Sequence, residues 1–136
     1  MRIVAALLAG AMVVSGSAAQ AAPDRSPQAK LAKAIDGRVA GKPVTCPNLR
    51  DIRSTRIIDN TAILYETGGG KIYVNTPRSG ASSLRDGRVM VTDTRSSQLC
   101  SIDTVRLYDN GSRMEMGWVG LGDFVPYAKP AKPRAI

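Results

Sequence analysis

Ala62-Ile63-Leu64-Tyr65-Glu66-Thr67-Gly68-Gly69-Gly70-Lys71-Ile72-Tyr73-Val74-Asn75 holds two runs of β-forming residues on either side of three consecutive glycines. Branched and aromatic side chains fit a pleated, half-buried surface, and glycine supplies the backbone freedom of a tight reversal. The stretch therefore reads as a β-hairpin, with strands at 62–66 and 71–75 and a turn at 68–70.

Further strand signals lie C-terminal to it. Val89-Met90-Val91-Thr92 is one, and Thr104-Val105-Arg106-Leu107-Tyr108 alternates apolar and polar residues cleanly. Asp109-Asn110-Gly111-Ser112 contains the tight-turn dipeptide Asn-Gly and leads into closing strands at 114–119 and 124–125. Short strands at this spacing predict a mainly β domain, a small antiparallel barrel or sandwich. On the N-terminal side, Ser26-Pro27 has the form of a helix cap followed by proline at the first helical position. Leu31, Ile35 and Val39 recur every four residues, predicting one short helix over 27–40 that covers a sheet face or an open end.

The first residues have the pattern of an export signal. Met1-Arg2 is positive, residues 3–14 are almost wholly apolar, and Ala19-Gln20-Ala21 fits a signal-peptidase site, predicting cleavage after Ala21. A run of 12 residues is short of the roughly 20 needed to cross a bilayer as a helix. The expected organisation is a signal peptide at 1–21, a flexible lead-in at 22–30, one domain at 31–126, and a Pro/Lys-rich tail at 127–136. The whole chain carries a net charge of +8. Removal of residues 1–21 takes away Arg2 and no acid, leaving 18 Lys+Arg against 11 Asp+Glu, or +7.

Cys46 and Cys100 are the only cysteines, and in an exported chain an even count is most simply read as a disulfide. The chain contains no histidine, which excludes Ser-His-Asp and Cys-His nucleophiles and histidine-based zinc sites. No catalytic residue, cofactor or metal ligand is assigned. Gly68-Gly69-Gly70-Lys71 is not a phosphate loop: Ile72 stands where Ser or Thr is required after the lysine, and the turn does not open a helix. Asn110-Gly111-Ser112 matches a glycosylation sequon, which a turn explains.

Two functions from different classes are compatible with these residues. The first is a non-enzymatic binding or envelope-associated module. Arg50, Arg53 and Arg56 fall every three residues and would gather in a loop or helical turn but alternate in a strand. With Lys71, Tyr73 and Arg106 they make the candidate binding surface, and Arg85, Arg88, Arg95 and Arg113 would extend its charge. Such a surface attracts an anionic envelope component or an acidic protein patch. Nucleic acid is not expected, because export removes it as a routine partner and stacking aromatics are few. The second is a small enzyme or enzyme inhibitor working without histidine, its pocket drawn from Asp51, Asp59, Arg53, Tyr73 and Asp103.

Thr45-Cys46, the segment Arg50-Asp51-Ile52-Arg53-Ser54-Thr55-Arg56-Ile57-Ile58-Asp59, the strand Gly70-Lys71-Ile72-Tyr73-Val74-Asn75 and the block Ser97-Gln98-Leu99-Cys100-Ser101-Ile102-Asp103 occur in that order. Together, over roughly residues 31–126, they resemble a family of small secreted proteobacterial proteins of the sphingomonad type with two paired cysteines. The resemblance implies a periplasmic location and no particular catalysis. It also implies that Ile52, Asp59, Tyr73 and Gln98 belong to a shared framework.

Overall fold

In the computed structural model, which describes residues 20–133, the glycine hairpin forms as β3 (Ala62–Thr67) and β4 (Ile72–Asn75). The two strands are antiparallel, with Tyr65 opposite Tyr73 and Ile63 opposite Asn75. Around them stand β1 (Val39–Ala40), β2 (Ile52–Ile58) and β8 (Phe124–Ala128), giving a five-stranded antiparallel sheet of order β1-β8-β4-β3-β2. A second antiparallel sheet contains β5 (Val89–Thr92), β6 (Thr104–Tyr108) and β7 (Glu115–Gly120) in chain order. The protein is thus mainly β. Its sheets do not close into a barrel.

Side-chain alternation explains the layers. Ile57, Ile63, Tyr65, Tyr73 and Phe124 point from the five-stranded sheet into a core shared with Val105, Leu107 and Val119 of the three-stranded one. The Phe124 ring meets Tyr65 and Tyr73 edge-on, at centroid distances of 5.5 Å and 6.3 Å. The alternate residues Ile58, Ala62, Leu64, Ile72 and Val74 face the opposite way, against Leu31, Ala34 and Ile35 of helix α1 (Pro27–Ile35). The five-stranded sheet is therefore covered on both faces, and the helix covers its outer one.

Helix α1 starts at Pro27, with the Ser26 side chain accepting from the Ala29 amide at 3.2 Å. It ends at Ile35, five residues before the expected boundary at residue 40. Gly37 adopts a left-handed φ of 67°, and the Arg38 amide donates to the Ile35 carbonyl, which stops the helix. Val39, the last member of the apolar stripe, instead pairs with Ala128 in β1. Tyr127 and Ala128, read from sequence as the beginning of the tail, are the last residues of β8. Of the expected signal peptide at 1–21, residues 1–19 lie outside the described residues; so do the last three positions of the expected tail.

Cys46 and Cys100 form the expected disulfide across 54 positions of sequence. It joins the segment before β2 to the segment before β6, and backbone bonds run beside it. Ser101 N donates to Thr45 O at 2.8 Å, Leu99 N to Pro47 O at 3.0 Å, and Leu49 N to Ser97 O at 2.9 Å. The Gln98 side chain donates to the Cys46 carbonyl. Closing a loop of this length constrains the unfolded chain by roughly 4 kcal/mol on the chain-entropy argument.

Candidate functional site

The β3–β4 turn gathers cationic side chains on both its flanks. Thr67 N donates to Lys71 O at 2.9 Å and Gly70 N to Thr67 O at 3.1 Å, with Gly70 at a φ of 81° that favours glycine. A short 3-10 turn, Leu49–Asp51, docks on this loop through Gly68 N donating to Asp51 O at 3.1 Å. The Asn48 side chain caps the 3-10 turn by accepting from Arg50 N. Arg50, Asp51 and Arg53 are thereby brought beside the glycines. A Cβ added at Gly68 would stand 3.1 Å from Arg53 Nε, so the missing side chain lets the guanidinium lie close across the loop. Lys71 holds its ammonium 5.0 Å from the centroid of the Tyr73 ring, a cation–π arrangement.

Two open clefts flank this turn. One, of about 360 Å³, is bordered by Arg50, Arg53, Lys71 and Tyr73, with Asp51 as its carboxylate. The other, of about 580 Å³, lies between α1 and the outer sheet face. Its cations are Lys30, Lys33, Arg38, Arg56 and Lys71, and its carboxylates are Glu66 and Asp86. Arg38 donates to the Gly70 carbonyl and so links the helix end to the turn. Across both clefts, seven cationic side chains meet three carboxylates. Arg56 and Glu66, 2.8 Å apart, form the sole ion pair among the described residues. Both are about half exposed, so the pair adds little stability. The remaining cations have no carboxylate within ion-pair distance among the described residues. Concave surfaces of one sign concentrate counter-ions, so the turn is suited to hold an anion.

Of the six residues singled out in the sequence, Arg50, Arg53, Lys71 and Tyr73 share the first cleft, and Arg56 lies in the second. Arg106 is elsewhere: it sits on β6, between Val91 of β5 and Trp118 of β7, on the other sheet. Lys30, Lys33 and Arg38 were missed. Their spacing makes Lys30 and Lys33 neighbours on a helix, but it does not say which part of the sheet they meet.

The five residues considered for a histidine-free enzyme do not gather. Asp51, Arg53 and Tyr73 border one cleft. Asp59 Oδ1 accepts from the Asp86 amide at 2.6 Å, next to the β2–β3 turn, and Asp103 Oδ2 accepts from the Cys100 amide at 2.7 Å, beside the disulfide. Among the described residues, no group of three or more His, Cys, Asp or Glu side chains is placed to hold a metal ion.

No family model, curated protein or solved structure matches the chain. Ile52 packs against the shared core, Tyr73 lies within it, Asp59 accepts from the loop before β5, and Gln98 bridges to Cys46. Among the described residues, no helix is long and apolar enough to cross a membrane.

Proposed function

We propose that the protein is an exported, periplasmic or secreted binding module without catalysis, which takes up an anionic envelope component or an acidic protein surface at the β3–β4 turn. The observation that carries this reading is the gathering of seven cations around one glycine turn, with a single ion pair among them. The sequence supports export through its N-terminal pattern, and a formed disulfide is chemistry typical of an oxidising compartment. The resemblance to small secreted proteobacterial proteins agrees with that location.

The test is a titration with two polyanions, poly-glutamate and inorganic polyphosphate, at increasing salt. Binding should weaken steadily with ionic strength, because exposed charges are screened. Arg53→Ala and Lys71→Ala should each weaken it about two- to fivefold, in line with about 0.5–1 kcal/mol for an exposed charge. Arg106→Ala should leave it unchanged. Equal losses in all three variants, or binding indifferent to salt, would remove the turn as the site.

A further inference from the structure

The cleft of about 360 Å³ beside the β3–β4 turn has a lining of two kinds. The first is cationic and open to a partner. The side chains of Arg50, Arg53 and Lys71 make no hydrogen bond or ion pair among the described residues, and Lys71 only lies over the Tyr73 ring. Arg38, Arg56 and Arg88 differ in this respect, being bonded to the Gly70 carbonyl, the Glu66 carboxylate and the Ser83 carbonyl. Against its three cations the cleft sets one carboxylate, Asp51, which leaves a surplus of two positive charges.

The second kind is made of groups that need a polar partner of another sort. Asp51 is held by its backbone: its N–H donates to Asn48 O at 3.2 Å, and its carbonyl accepts from Gly68 N at 3.1 Å. Its carboxylate accepts no hydrogen bond and has no cation within ion-pair distance among the described residues. Tyr73 is nine-tenths buried, at 9% exposure, with its ring against Phe124 in the core. Its hydroxyl has no hydrogen-bond partner among the described residues. No buried side-chain polar atom among them lacks a partner, so this hydroxyl reaches the surface, and the cleft is an opening that Tyr73 borders.

Charge and size select the ligand. A guanidinium presents paired donors that match phosphate oxygens, and a lysine adds a point charge. A phosphate monoester carries about −1.5 to −2 at neutral pH, which matches the surplus, whereas a sulfate ester or a carboxylate carries a single charge. A ligand that is anionic along its whole length brings like charge against Asp51. One whose phosphate is followed by hydroxyl groups gives Asp51 a donor and Tyr73 a partner. The volume is at the lower end of the roughly 300–1,000 Å³ of small-molecule sites, which suits one sugar-sized group. We infer that this cleft binds the phosphate monoester of a sugar or other polyol, the phosphate between Arg50, Arg53 and Lys71, one hydroxyl donating to Asp51 and another bonding to the Tyr73 hydroxyl. Resting on the anionic-partner reading, this narrows the partner to a phosphorylated carbohydrate, either free or borne on an envelope lipid or glycan.

The experiment follows binding to the exported chain by calorimetry at fixed low salt, with glucose 6-phosphate, glucose 6-sulfate, inorganic phosphate and polyphosphate as probes. Phosphatidylcholine vesicles carrying phosphatidylinositol 4-phosphate present the same chemistry on a membrane. Glucose 6-phosphate should bind at least about fivefold more tightly than glucose 6-sulfate or inorganic phosphate. Asp51→Ala should tighten inorganic phosphate and polyphosphate about two- to fivefold without tightening glucose 6-phosphate, so that the preference for the sugar disappears. Tyr73→Phe keeps the ring, so the urea midpoint should hold while glucose 6-phosphate weakens about two- to tenfold, the worth of one hydrogen bond. Tighter binding of the free sugar phosphate, or of the vesicles, identifies where the group is carried, and either supports the site. Glucose 6-phosphate binding no more tightly than inorganic phosphate, or Asp51→Ala tightening every probe alike, would overturn the inference, while continued polyphosphate binding would leave the anion site standing. Failure of every anion would overturn both.

Discussion

Asn75 and Gly122 exchange two hydrogen bonds inside the protein: Gly122 N donates to Asn75 Oδ1 at 3.0 Å, and Asn75 Nδ2 donates to Gly122 O at 2.6 Å. Asn75 is fully buried, and its side chain serves the loop before β8 as a neighbouring strand would. Removing the amide strands two main-chain groups away from water. Asn75→Ala should therefore cost about 2–4 kcal/mol, since each buried group left unpaired costs about 1–3 kcal/mol. Urea unfolding would show the loss as a lowered midpoint at unchanged slope.

Reduction of Cys46–Cys100 should remove roughly 4 kcal/mol on the chain-entropy argument, a large part of the net stability of a small domain. Urea unfolding with and without dithiothreitol gives the difference. A Cys46→Ser, Cys100→Ser double variant should reproduce the reduced value. A difference below about 1 kcal/mol would show that the backbone bonds beside the bridge already hold the sheets together.

Gly80 and Gly69 make a contrasting pair. Gly80 sits at a φ of 75°, and a Cβ there would run into the backbone of Trp118 in β7. Gly80→Ala should cost more than about 2 kcal/mol, combining left-handed strain with a contact that only backbone movement relieves. A Cβ at Gly69 meets nothing within 4 Å. Gly69→Ala should stay within about 0.5 kcal/mol of the parent. Thermal unfolding of the two variants separates them.

Asp109 reports on the turn between β6 and β7. Hydrogen bonds from the Ser112 amide, the Ser112 hydroxyl and then the Gly111 amide hold its carboxyl below the ordinary value. Its folded pKa is depressed, so its contribution to stability is present above the unfolded value near 4 and is lost as pH falls through the folded value. A carbon-detected NMR titration should place the Asp109 midpoint below those of unpaired aspartates. Ser112→Ala should move it back upward.

The strands legible in the sequence are those with an alternation or a turn residue to mark them. Gly68 to Gly70 fixed the reading of the hairpin, Asn110-Gly111 marked the β6–β7 reversal, and Thr104 to Tyr108 showed its two faces outright. β2 was the one left open. Its middle residues Arg53, Ser54, Thr55 and Arg56 are all exposed, because an edge strand needs no apolar alternation, and arginines spaced by three mimic a helical face. Val39 failed in the opposite sense: its spacing continued the helix stripe, but Gly37 had already turned the chain. At the candidate site, Arg50, Arg53, Lys71 and Tyr73 were legible as charge and aromatic character near glycines. The share of the helix in that surface was not, since only the packing of Leu31, Ala34 and Ile35 on the sheet decides where Lys30 and Lys33 end up.

The hairpin of β3 and β4 is pressed by apolar side chains from above and from below, whereas β5 and β7 leave Val89, Val91 and Trp118 open to water. Tolerance to sequence drift must therefore be lopsided. At Ile63, Leu64, Tyr65 and Val74, successive positions are all constrained, so a random change there meets a packed neighbour whichever way it points. Along β5 every second residue is free to vary, and divergent copies of this chain would differ first on that outer face.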